Sequence, residues 1–178
     1  MRFTHLIYLF IFSALFLTAC GGEDDTPATD ATIAGEWNIE SYTLDINSTT
    51  SGQGINETIT GSLAAVQPID FTVTFITDPN EGFSDGSLTF EGDLTTSSGQ
   101  TFPLGSTFVL NPFDSRATWS LDGNSLRFAP AQGAEPYSMN IVSLTETEMI
   151  LEWVYEQAVN NGGFTSTTRN DGRVVLGR

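Results

Sequence analysis

From Trp37 onward, apolar and polar residues alternate in short runs separated by Gly, Asn, Asp and Pro. Alternation with a period of two sends successive side chains to opposite faces of an extended chain, so each run predicts a strand with one buried face. The clearest is Ile69-Asp70-Phe71-Thr72-Val73-Thr74-Phe75, which puts Ile69, Phe71, Val73 and Phe75 on one side. Residues 37–45, 87–94, 117–121, 125–128, 137–144, 149–156, 164–169 and 173–176 follow the same rule. Residues 55–63 form a Thr-rich candidate, and 101–110 is weakened as a strand by Pro103 and Gly105. Asp122-Gly123-Asn124, set between two alternating runs, is the strongest hairpin signal because its turn positions tolerate positive φ. Asn160-Asn161-Gly162-Gly163 marks a second turn. No stretch sustains a 3.6-residue apolar period, so at most one short helix is expected.

The pattern therefore predicts an all-β domain of about eight to ten short antiparallel strands. A meander of that kind must bury one face and dispose of its two edges, and curling into an up-and-down barrel does both. A two-sheet sandwich is the alternative. Phe71, Phe75, Phe90, Trp119, Trp153 and Tyr155 are phased toward the inner face. A barrel of that size is either filled by its own side chains or just wide enough for one small ligand. Core packing accounts for most of these rings. Trp153 and Tyr155 carry polar tips and are the better candidates for ligand contact.

The first twenty residues obey a different rule. Arg2 precedes an apolar run from Leu6 to Leu17 interrupted only by Ser13. That is the length of a signal-peptide core and falls short of the ~20 residues of a spanning helix. Leu17-Thr18-Ala19-Cys20 resembles the lipobox of bacterial lipoproteins. The resemblance implies cleavage after residue 19, a diacylglycerol on the Cys20 thiol and a membrane partner reached through that lipid. Each buried CH₂ contributes about 0.8 kcal/mol, so two or more chains make a durable anchor. Residues 20–32 read as a polar tether. Its Glu23-Asp24-Asp25 cluster resembles a signal that exports lipoproteins to the outer face of the outer membrane, with the periplasmic face as the alternative.

Composition narrows the chemistry further. Losing the leader leaves 159 of 178 residues and takes the formal charge from −16 to −17, since Arg2 is the only charged residue removed. Such a field repels phosphate backbones, so no nucleic-acid partner is expected. The single histidine, His5, leaves with the leader, the single cysteine carries lipid, and there is no lysine. Ser-His-Asp and Cys-His catalysis, thiolate or imidazole metal sites and Schiff-base chemistry are thereby excluded, and no catalytic residue, metal or cofactor is assigned. Glu152 and Glu156 lie four residues apart on the face opposite Trp153, which the pattern gives to solvent, so they lack the enclosure a glycosidase pair needs. Asp78-Pro79-Asn80-Glu81-Gly82 with Asp85 breaks the spacing of a Ca²⁺ loop and reads as an acidic turn.

Two segments carry a second resemblance. Gly35-Glu36-Trp37 at the entry to the first strand, and Trp119-Ser120-Leu121-Asp122-Gly123-Asn124-Ser125-Leu126 further on, resemble the lipocalin-like domains of bacterial lipoproteins over residues 33–178. The resemblance implies that Gly35 and Trp37 close the base of a barrel, with Arg169 or Arg173 laid across the indole by a cation–π contact. It also implies a non-enzymatic protein capturing a small apolar or amphipathic molecule. The alternative is a solid barrel whose surface docks an envelope protein or a glycan. Phe102-Pro103-Leu104 and Asn111-Pro112-Phe113, rings beside prolines, are candidates for a loop lid or docking patch.

Overall fold

β1 (Gly35–Gly52) is long enough to belong to two structures at once, and that decides the architecture. The computed structural model describes residues 33–106, 116–131 and 135–178. Cys20, the leader, the tether before Ile33 and Asn111-Pro112-Phe113 lie outside these residues. On one edge β1 pairs first with β3 (Asp70–Ile76), from Gly35↔Phe75 to Asn38↔Thr72. Further along the same edge it pairs with β2 (Ile55–Ala65), from Thr43↔Ala64 to Gly52↔Ile55. Its other edge runs against β11 (Phe164–Gly177), from Asn38↔Gly177 to Ser51↔Thr165.

The near half of β1 completes a closed antiparallel barrel. Its strands run β1, β3, β4 (Glu81–Ser87), β7 (Arg116–Asp122), β8 (Ser125–Pro130), β9 (Tyr137–Leu144), β10 (Glu148–Asn161) and β11, which returns to β1. The far half of β1 continues beyond the barrel as a wing, flanked by the far halves of β10 and β11 and extended by β2, β5 (Phe90–Thr96) and β6 (Thr101–Ser106). The sheet closes on itself, so the sandwich alternative is overturned.

A bulge at Glu40 interrupts the β1–β11 register between Ile39 and Ser41. Its extra residue exchanges the inward-facing parity, from Trp37 and Ile39 before it to Tyr42 and Leu44 after it. Barrel and wing thus share one continuous core. Trp37, Phe75, Leu126, Phe128, Leu151 and Leu176 are each at most 2% exposed.

Several strands differ from their sequence-based limits. β1 runs to Gly52 through Asn47-Ser48-Thr49-Thr50-Ser51, which has no apolar alternation. Those residues are held by backbone pairing on both edges, and by hydroxyl pairs such as Thr49–Thr58 at 3.1 Å and Ser48–Thr168 at 3.1 Å. β11 is unbroken through Asn170-Asp171-Gly172, read from sequence as a gap. Residues 81–87 form β4, with Glu81 in an ion pair to Arg116 at 2.7 Å. Phe102-Pro103-Leu104 is not a loop; it lies in β6, the edge strand of the wing, the kind of strand in which proline is tolerated. The two hairpin signals match tight turns. Gly162 and Gly163, at φ 57° and 88°, join β10 to β11, and Gly123, at φ 58°, opens the β7–β8 turn.

Candidate functional site

The closed end of the barrel is a structural plug. Trp37 is fully buried, and its indole N–H donates to the Ile33 carbonyl at 2.8 Å. The guanidinium lying over its ring is that of Arg178, 3.8 Å from the ring centroid, and Arg178 also donates to the Ala34 carbonyl at 2.8 Å. Gly35, at φ 129°, leaves the guanidinium room: a Cβ there would sit 3.4 Å from it. The assignment of Arg169 or Arg173 to this role is corrected. Both point outward from β11, Arg169 to Glu156 and Asp171 and Arg173 to Glu152. The reason is parity: Val174 and Leu176 face the core, so the odd-numbered residues beside them face solvent.

The opposite end is open on one side. β9 and β10 pair from Met149↔Leu144 to Glu152↔Asn140, and beyond Glu152 they part. β9 stays with β8, whereas β10 follows β11 into the wing. Their divergence opens a cleft of about 620 Å³. Tyr137 of β9, Trp153 and Tyr155 of β10, Asn170 of β11 and Tyr42 of β1 line it, with Glu135 and Glu156 beside them. Tyr42, Tyr137 and Tyr155 are the only tyrosines among the described residues, so the fold gathers all of them here.

Neighbouring rings hold two of these side chains. Tyr42 packs edge-on against Phe90 at 5.0 Å, and Tyr137 stacks on Phe128 at 5.1 Å. Trp153 lies against the bare backbone of Gly172, where any Cβ would collide with the indole. Gly172, outwardly a strand breaker, is thus what seats the largest ring of the cleft. Burial pushes the Tyr42 phenol well above its ordinary pKa; the Trp153 indole opposes that rise and Tyr137 adds to it. At hydrogen-bonding geometry, however, the Trp153 Nε1–H meets no acceptor and Asn170 Oδ1 meets no donor, although both atoms are buried. Orphaned buried polar atoms are costly, and a bound molecule is one way to satisfy them.

Of the rings phased inward by alternation, Trp153 and Tyr155 reach the cleft. Phe71, Phe75, Phe90 and Trp119 do not line it and are corrected to core residues, at most 3% exposed. Trp119 is satisfied internally, its N–H shared between the Ile76 and Glu81 carbonyls at 3.1 Å. Alternation names the face a ring occupies but not the depth at which it sits. Sequence reasoning missed Tyr42, Tyr137, Glu135 and Asn170 as site residues. Tyr42 turns inward only because of the bulge, and Asn170 sits in a segment read as a break.

No curated protein and no solved structure shows significant similarity to the chain. A family model described as a lipocalin-like domain matches residues 33–151, from the plugged base to the first residues of β10. The match stops just short of Trp153, so the cleft is built in part by residues beyond it. By that match and by its closed eight-stranded barrel, the chain belongs to the family of lipocalin-like domains.

Proposed function

We propose that the protein is a non-enzymatic, lipid-anchored envelope protein that captures a small apolar or amphipathic molecule in the cleft between β9 and β10. The observation that carries this reading is the aromatic cleft with two unsatisfied buried polar atoms, Trp153 Nε1 and Asn170 Oδ1. Apolar walls with a few placed polar groups are the general form of small-ligand sites. The carboxylates of Glu152 and Glu156 add support for a non-catalytic role, since Arg173 and Arg169 hold them in ion pairs. The anchor is Cys20, on the strength of the lipobox, and the setting is the outer membrane with the domain facing outward.

Titrating the delipidated mature chain with a membrane-lipid and metabolite extract, followed by native mass spectrometry, tests the capture. A discrete adduct that Trp153→Ala abolishes is expected; no adduct from any fraction refutes it. Replacing Cys20 by serine tests the anchor separately: the protein is expected to leave the membrane fraction.

A second reading is favoured by the wing. Ile55, Phe102, Tyr155 and Val159 share one of its faces and are each 47–51% exposed, a surface suited to docking an envelope protein. Crosslinking on intact cells separates the two readings, because docking requires a reproducible protein partner.

A further inference from the structure

We propose that the cleft selects an organic cation, an ammonium or similar group carried on an apolar body, over neutral and anionic molecules of the same shape. The inference deepens the ligand-binding reading above and rests on it. Four of its lining side chains, Tyr42, Tyr137, Trp153 and Tyr155, are electron-rich rings. Ring faces attract cations through their quadrupole, Trp and Tyr among the best. The charged residues that line the cleft are Glu135 and Glu156, both acidic; no lysine or arginine is among them.

The two carboxylates are not equivalent. Glu156 is already paired with Arg169, which Asp171 also holds. Glu135 is in no ion pair among the described residues, so it is the carboxylate available to a ligand. An anionic ligand would meet the unpaired carboxylate of Glu135 and a Glu156 whose arginine is already engaged, in a chain whose formal charge is −16 before any processing. A neutral ligand would gain the apolar contact but neither the cation–π attraction nor the pairing with Glu135. The chemistry of the lining thus points to one sign of charge.

The test uses the delipidated mature chain and three probes with one dodecyl tail: dodecyltrimethylammonium, dodecanol and dodecanoate, all below micelle formation. Binding is read by tryptophan fluorescence at ~0.15 M ionic strength, where remote charges are largely screened. The ammonium is expected to bind roughly ten-fold more tightly than dodecanol and dodecanoate more weakly than either. Glu135→Gln is expected to erase most of the ammonium preference, weakening the ammonium several-fold more than dodecanol. Because that variant alters the net charge by one, it distinguishes a local carboxylate from general attraction to an acidic protein. Tyr155→Leu, which keeps apolar bulk and charge, is expected to weaken the ammonium more than dodecanol. Equal binding of all three probes, or a preference for dodecanoate, overturns the cation inference and leaves ligand capture standing. A preference that survives Glu135→Gln and Tyr155→Leu unchanged also overturns it. No binding of any probe overturns both.

Discussion

Arg178 illustrates how single residues acquire roles that their neighbours in sequence do not announce. Its guanidinium stacks on Trp37 and donates to the backbone of residues 33 and 34, tying the end of the last strand to the start of the first. Arg178→Ala is expected to lower unfolding stability by about 1–2 kcal/mol in urea melts, from the lost ring contact and hydrogen bonds. Arg169→Ala and Arg173→Ala, which break exposed ion pairs, are expected to leave the same melts unchanged. Tyr42 makes a pH prediction. Its phenol pKa is raised in the folded state, so the neutral form is favoured there and its contribution is complete below the unfolded value of about 10. Above that value the unfolded state ionises first and stability declines. Denaturant melts from pH 9 upward are expected to show this decline, and Tyr42→Phe is expected to reduce it. Gly172→Ala drives a methyl into the Trp153 indole; a loss of about 1–3 kcal/mol together with weaker ligand binding is expected. Fluorescence of the variant would report the displaced ring.

At the scale of elements, legibility followed the source of each strand's stability. β3, β7 and β8 bury one face and solvate the other, so alternation shows in their sequences and the expected strands match. The wing obeys another logic. The far half of β1 carries Thr, Ser and Asn on both faces and β2 carries them on one, and these strands persist through pairing to neighbours on each side. A single strand's pattern cannot reveal a partner more than a hundred residues away. The cleft was half legible for the same reason. Trp153 and Tyr155 share one alternating strand, whereas Tyr42 and Asn170 arrive through a bulge and a cross-barrel register. The β10–β11 hairpin depends on its two-glycine turn, so Gly162→Ala combined with Gly163→Ala is expected to cost about 1–2 kcal/mol. Hydrogen exchange is expected to accelerate in the wing portion of β10 and β11 before the barrel portion responds.

For the molecule as a whole, charge and closure dominate. With 22 acidic against six basic residues, the folded state concentrates like charge on its surface. Salt screens the self-repulsion between exposed charges that lie more than about a Debye length apart.

The first and last strands of the barrel are also its closing seam, running from Asn38↔Gly177 to Ser51↔Thr165. The barrel strands from β3 to β10 can pair with one another first, yet the ring stays unsealed until β11 meets β1. The seam's free energy is therefore realised only when β11 docks on β1, and refolding on the order of milliseconds to seconds is the pace such distant pairing sets. Until that docking the barrel stands open along one side, a ribbon rather than a ring.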